Sequence, residues 1–330
     1  MLSPLMRFFW LCGMLTLVSQ ARELHVSPDG NDQWSGRLPQ PNAAHTDGPL
    51  ASLAGARQAI RNLPHPLTEP ITVSFHAGTY RIAEPVVFEA QDSGDNDHPI
   101  TYQAAPQATV YLSGSRKLPD FKEDGHGRWV LKTPEGTPVF EQLWINQQRA
   151  TRARINQPNT RYLLSVIDER VVPNSKNLFE QKLQCNPEDL VAFKKLTEKE
   201  IQAAVVSFYH KWDSTRRTVY AVDPDRGTLT IRGARLKSNT RFDHLTGFVI
   251  ENLPTLLDEP GEWFLSTAGE LSYLPRPGEK ISNTSATYPV AEKLLIFKGS
   301  PLAPIHDLNF VGLHFIEAKG VTTIATAEPN

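Results

Sequence analysis

Cysteine is nearly absent from this sequence: only Cys12 and Cys185 occur. Cys12 falls in a segment that reads as a removable leader, which would leave Cys185 without a partner and rule out an internal disulfide. The ten histidines include no pair spaced three or four residues apart, so a zinc site of His and Cys ligands has little to be built from. Charge of one sign is lacking too. Thirty-four basic residues face 36 acidic ones, for a net charge of −2, with no basic block; a nucleic-acid partner, which needs a basic patch or stripe, is excluded. No G-x-S-x-G elbow is present. "DGHGRW" (124–129) holds a lone glycine pair, better suited to a turn than to a phosphate loop. Neither a metal nor a cofactor is implied.

One long apolar run exists, at the N-terminus. "MLSPLMRFFWLCGMLTLVSQA" carries a positive charge at Arg7, an apolar stretch over 8–18 and a small-x-small close at Ser19-Gln20-Ala21. Spanning a bilayer takes about 20 apolar residues. The shorter run predicts a signal peptide over 1–21, cleaved after Ala21. The mature protein is then exported (periplasmic, cell-surface or extracellular), with no stable membrane insertion after cleavage.

What remains is a globular composition, 40% hydrophobic and 21% charged, in 330 residues, more than one compact domain needs. Prolines (26) outnumber glycines (20), which suits short strands joined by stiff loops. After "ELHVSPDGND", a strand followed by turn signals, "GPLASLAGARQAIRNLP" predicts a helix capped by Ser52, with Leu53, Ala56, Ile60 and Leu63 on one face and Pro64 as its stop. The pattern then changes. "ITVSF" (71–75), "PVVFEA" (85–90), "PITYQA" (99–104) and "ATVYLSG" (108–114) are strand-like, with "HAGTY" and "QDSGDNDH" as turns between them. No helix-length pattern intervenes, so the class is all-β: a sandwich, a barrel or a solenoid. Further strands fall at 203–209, 217–222, 227–233, 247–252, 262–266, 270–275 and 293–299. Short helices are expected after Asn186-Pro187 and at the Thr197/Glu200 capping box.

"VSPDGND…PLASLAGARQAI", "FHAGTY" and "DSGDNDHPITYQAAPQATVYLSG" together resemble the start of secreted right-handed parallel β-helix proteins. "FEQLWINQQRATRARIN" (140–156) and "LLDEPGEWFLSTAGELSYLPRPGE" (256–279) narrow the resemblance to polysaccharide-degrading members near glycoside hydrolase family 141. It implies an N-terminal cap and first coils over 22–139, an inserted β-rich domain over 140–290, and a return to the β-helix over 291–330. In the returning segment Leu308, Phe310, Leu313 and Phe315 are the inward-pointing candidates. The resemblance places catalytic acids on later coils. With no cap legible in "VTTIATAEPN", the sequence is expected to be the N-terminal portion of a longer protein, with its catalytic residues beyond residue 330. Gln147 departs from the family's Gly and argues against a tight turn at Asn146-Gln147.

The acidic stretch at 256–279 poses the main site question. Glu259 and Glu262, near Asp258 and beside Trp263, are the candidate catalytic carboxylates. Glycoside cleavage needs a pair roughly 5 Å apart (retaining) or roughly 6.5–9.5 Å apart (inverting). The simpler reading is a hairpin whose aromatics pack and whose acids are solvated. Arg152 and Arg154, with Arg149, are candidates for binding an acidic sugar, against a solvated or ion-paired strand face. Trp144 and Trp263 are candidates for sugar stacking, as are Trp34 and Trp212, although core packing is the simpler role for each. "DSGDND" (92–97) lacks the Gly and Glu of a calcium loop and reads as an Asx-rich turn. The expected partner is a polysaccharide or oligosaccharide. Glycoside hydrolysis, lyase chemistry at a uronic acid and non-catalytic glycan binding are all compatible with the sequence.

Overall fold

The computed structural model describes residues 21–155, 161–236 and 240–320. The fold is all-β: strands dominate, and the α-helices among the described residues are short, Leu53–Arg61 and Glu198–Ala203. None of these residues forms a helix long and apolar enough to cross a membrane. Residues 1–20, all but the last of the expected 1–21 leader, and residues 321–330 lie outside the described residues. The chain divides into two compact units. The first takes in the described residues up to Tyr80, then 86–112 and 295–315; the second takes in 81–85, 113–294 and the residues from Ile316 onward.

The first unit is a stack of parallel strands. Arg22–Val26, Ile71–Phe75, Ile100–Ala104 and Leu308–Val311 form one ladder. The register is constant, so apolar residues fall in columns: Leu24, Val73, Tyr102 and Phe310 lie in one, and Ile71, Ile100 and Leu308 in another. The Tyr102 and Phe310 rings stack at 5.2 Å. A second ladder pairs Val86–Glu89 with Leu295–Lys298 and stacks Phe88 on Phe297 at 5.4 Å. Burying each large side chain contributes about 1.5–3 kcal/mol, and a stacked aromatic pair about 0.5–1.5 kcal/mol more. A third sheet holds Gly78–Arg81, Val110–Ser113 and Leu313–Ile316. The 76–80 segment, expected as a turn, therefore gives its last residues to a strand. Residues 114–294 fall between two strands of this stack, Val110–Ser113 and Leu295–Lys298.

The helix Leu53–Arg61 starts as its sequence predicts but ends at the Asn62 cap, so that Leu63 lies beyond it and Pro64 is not the residue that stops it. Ser52 Oγ accepts from the Gly55 backbone N–H at 2.9 Å, and Leu53, Ala56 and Ile60 are buried. Of the four inward candidates in the last strands, Leu308, Phe310 and Leu313 are half-buried, but Phe315 is 43% exposed. The alternation was legible; the degree of cover was not.

The second unit holds two sheets. The eight-stranded one runs Ser115–Lys117, Ala286–Pro289, Leu143–Ile145, Gln148–Arg152, Glu262–Leu265, Glu270–Tyr273, Trp129–Lys132 and Lys122–Glu123. Its core includes Phe140, Leu143, Trp263, Leu271 and Tyr273. The seven-stranded one is antiparallel and runs Arg161–Tyr162, Gly247–Glu251, Val205–Tyr209, Ser214–Asp223, Thr228–Ala234, Leu178–Gln184 and Ser165–Val171. Its core includes Cys185, Phe193, Phe208, Phe248 and Ile250. Thr197 and Glu200 make the expected capping box, and Pro187–Phe193 is a 3-10 helix. Near the end of the described chain, Glu317 accepts from Ser113 Oγ at 2.6 Å, Ser115 Oγ at 2.5 Å and Thr287 Oγ1 at 3.0 Å.

The turn at Asn146-Gln147 forms despite the missing glycine. Ile145 pairs with Gln148, and both turn residues have positive φ, 50° and 66°. That is the two-residue loop for which Asn-Gly is favoured. Its strain is offset by anchoring: Asn146 Oδ1 accepts from the Ser285 N–H at 2.8 Å, and the Asn146 N–H donates to the Ser285 carbonyl at 2.9 Å.

Candidate functional site

The acids at 256–279 are placed as two strands, Glu262–Leu265 and Glu270–Tyr273, antiparallel across the 266–269 loop. Glu262 is not solvated. It is 2% exposed, and its carboxylate accepts the backbone N–H groups of Asp258 and Glu259, each at 3.2 Å. Those bonds fold the 258–261 loop back over the start of the strand. Glu259 is exposed on that loop. Trp263 is fully buried and stacks on Phe140 at 5.5 Å. Trp144 is half-buried, opposite Arg149 and Thr287 in neighbouring strands. Trp34 is half-buried, whereas Trp212 is 83% exposed and so is no core residue. In "DSGDND", Asp92 is buried and takes both oxygens to Arg61 at 2.6 Å. Asp95 accepts the backbone N–H groups of Asp97 and His98.

The arginine run gives the most developed site. A cavity of about 370 Å³ is lined by Glu141, Arg149, Ala150, Thr151, Arg152, Arg154, Arg216 and Glu251. The hairpin Leu143–Ile145/Gln148–Arg152 supplies one wall, and alternation along its second strand turns Ala150 and Arg152 inward while Arg149 and Thr151 stay exposed. Arg154 bridges the backbone of Glu251 one step further on. Arg216 comes from Ser214–Asp223, and Glu251 from the end of Gly247–Glu251.

Within the cavity the charges are unevenly matched. Glu251 reaches Arg216 Nη2 at 2.9 Å, and Glu141 reaches Arg216 Nη1 at 3.4 Å. Both carboxylates therefore serve one guanidinium. Four arginines against two glutamates leave an excess of two positive charges. Arg152 is 8% exposed, and its Nε and Nη1 are buried with no hydrogen-bond partner. Burial pulls its pKa down to about 10; Glu141 and Glu251 oppose that fall and Arg216 adds to it. At neutral pH it remains a cation. A buried donor left unpaired costs about 1–3 kcal/mol, and more when charged, so such groups in a native fold call for an explanation. The guanidinium carbon sits 5.5 Å from the centroid of the Trp263 ring, which holds it in place. Guanidinium groups with donors to spare are suited to an anionic oxygen cluster, a carboxylate or a sulfate.

Of the residues expected from sequence, the structure brings Arg149, Arg152 and Arg154 to this cavity and puts Trp263 under Arg152. Glu259, Glu262 and Trp144 do not line it. Glu141, Arg216 and Glu251 were not anticipated. They come from separate strands, and no local motif marks them.

No family model matches the sequence, and no curated protein matches it. Among solved structures, one titled "Glycoside hydrolase" superposes with a TM-score of 0.71 at 24% identity, over 91% of this chain and 51% of that one. Another, "The complex structure of XylC with xylose", gives a TM-score of 0.26 at 16% identity, over 73% of this chain and 32% of that one, too low for a fold comparison. The class defined by the fold is thus an all-β protein. In particular, the chain shares the fold of a solved glycoside hydrolase and spans about half of that structure's length.

Proposed function

We propose that this chain is the N-terminal part of an exported carbohydrate-active protein, a glycoside hydrolase on complex polysaccharide near family 141. In this reading the first unit is the opening of a right-handed parallel β-helix. The observation that carries it is the fold shared with a solved glycoside hydrolase over 91% of the chain. The in-register parallel ladders, with their aromatic columns, support the β-helix reading. The catalytic carboxylates are placed on chain outside these residues. In support, Glu141 and Glu251 are committed to Arg216, and Glu262 is committed to the loop before it.

A lyase on the same scaffold is the second reading, favoured by the excess positive charge of the arginine cavity, since lyases act beside a uronic carboxylate. The test is incubation of the natural gene product with xylan, pectic and fucosylated polysaccharides. New reducing ends without ultraviolet absorbance support the hydrolase. Absorbance from an unsaturated sugar end supports the lyase. Retention of glycans without either signal assigns a binding protein, and failure to bind or cleave any glycan overturns the reading.

A further inference from the structure

We propose that the arginine cavity is a subsite for the anionic substituent of a polysaccharide, the carboxylate of a uronic acid or a sulfate ester. The proposal rests on the carbohydrate reading above and narrows its substrate class. Two observations carry it. Arg152 is a buried cation whose Nε and Nη1 lack acceptors, yet it lines an open cavity. The two carboxylates of that cavity are taken up by Arg216, so they do not neutralise Arg152 by direct pairing.

Arg216, by contrast, is paired through both terminal nitrogens, Nη1 with Glu141 and Nη2 with Glu251, and lacks a partner only at Nε. Arg152 is positioned by an aromatic ring and has two guanidinium nitrogens, Nε and Nη1, left without acceptors. A ligand oxygen entering the cavity supplies the missing partner in a setting where little water competes for it. Arg149 and Arg154, both exposed, extend the positive wall outward. They would draw a charged chain toward the cavity and would contribute in a salt-dependent way. The volume, about 370 Å³, lies in the range of cavities that hold small ligands. The hydroxyl oxygens of a neutral sugar can accept from Arg152, but such a ligand gains nothing from the charge excess.

The test uses calorimetric titration of the natural gene product with oligogalacturonate, a sulfated oligosaccharide and a neutral xylo-oligosaccharide. The expected result is preference for one or both anionic glycans, weakened by added salt, with affinity about tenfold or more lower in Arg152→Gln. Which glycan binds tells carboxylate from sulfate. Thermal unfolding of Arg152→Gln checks that the variant folds, and Arg154→Gln gives a milder loss through an exposed residue. Equal binding of neutral and anionic glycans, or anionic binding unchanged in Arg152→Gln, overturns the subsite and leaves the carbohydrate reading standing. Arg152-dependent binding of inorganic sulfate with no binding of any glycan removes the sugar as occupant and overturns the carbohydrate reading with it.

Discussion

Arg152 and Trp263 are register partners across a parallel strand pair, and the guanidinium carbon of the first lies 5.5 Å from the ring centroid of the second. In the eight-stranded sheet, Gln148–Arg152 and Glu262–Leu265 are the pair that runs parallel; the other pairings are antiparallel. This contact therefore joins the arginine hairpin to the acidic stretch. The tryptophan belongs to the core, and the arginine edges the cavity above it. The aromatic residue that sequence reading offered for sugar stacking acts on the site indirectly, by fixing a cation.

That geometry makes Arg152 a cost to the fold. Its pKa is lowered to about 10 by burial, whereas in the unfolded chain it takes its ordinary higher value. The unfolded state holds the proton more tightly, so the charge opposes folding at every pH below about 10. The penalty is relieved only as pH rises through that value. Arg152→Met removes the charge and can replace the cation–ring contact with a thioether packed on Trp263, and it should raise stability at pH 7 by about 1 kcal/mol. Urea unfolding measures this; a loss above that size would mean that Arg152 holds the sheet together.

Glu180 behaves in the opposite sense. It lies between Arg170 and Arg232 on the two neighbouring strands, in register with both. Arg170 Nη2 approaches to 2.5 Å and Arg232 Nη2 to 2.7 Å. Burial pushes its carboxyl up, but the two guanidinium groups outweigh burial and hold it below the usual glutamate range. The contribution is present in full above the unfolded glutamate value, about 4.3, and is lost as pH falls through the lowered folded value. Glu180→Gln should destabilise by about 2–3 kcal/mol at pH 7 and flatten the acid limb of the stability profile. An unchanged acid limb in the variant would remove Glu180 from that role.

The strands around Glu180 show where the sequence was hard to read. Leu178–Gln184 buries Glu180 and Gln181, so a search for alternating apolar residues passes over it. Ser165–Val171 is exposed along its whole length and carries no inward face to detect. Strands with apolar alternation, such as Ile71–Phe75 and Thr228–Ala234, were legible at once, and so was the capped helix Leu53–Arg61. The cavity was half-legible: three arginines of one run were seen, but Glu141, Arg216 and Glu251 meet them only through sheet pairing. The burial of Glu262 depends on the loop that it closes, which no spacing rule reports.

Gln147 offers a direct test of turn strain. Its φ of 66° is a conformation that costs a side-chain-bearing residue about 1 kcal/mol, and glycine little. Gln147→Gly should therefore stabilise the protein by up to about 1 kcal/mol, because Asn146 stays anchored to Ser285. Thermal unfolding of the two proteins decides it; a lower midpoint in the variant would show that the Gln147 side chain makes a contact worth more than the strain.

Cys185 reports on the core of the seven-stranded sheet. It is fully buried, and burial pushes its thiol up to about 12. Since the thiolate is the reactive form, alkylation at pH 8 should leave Cys185 unmodified in the folded protein and label it in urea, as peptide mapping would show. Rapid labelling without denaturant would mean that this core opens locally.

The last prediction separates a structural acid from a catalytic one. Glu262 accepts the N–H groups of Asp258 and Glu259; the acceptor is buried, while the donors belong to exposed loop residues. Glu262→Ala leaves those donors without this acceptor and should cost about 1–3 kcal/mol. Glu259 lies exposed on the loop, so Glu259→Ala should change stability by less than about 0.5 kcal/mol. If the hydrolytic carboxylates lie on other chain, turnover per folded molecule on a glycan substrate should survive both changes. Denaturant titration gives the folded fraction, and reducing-end release gives the turnover. Loss of turnover in Glu262→Gln at unchanged stability would reverse this assignment and make the 256–279 stretch an active site.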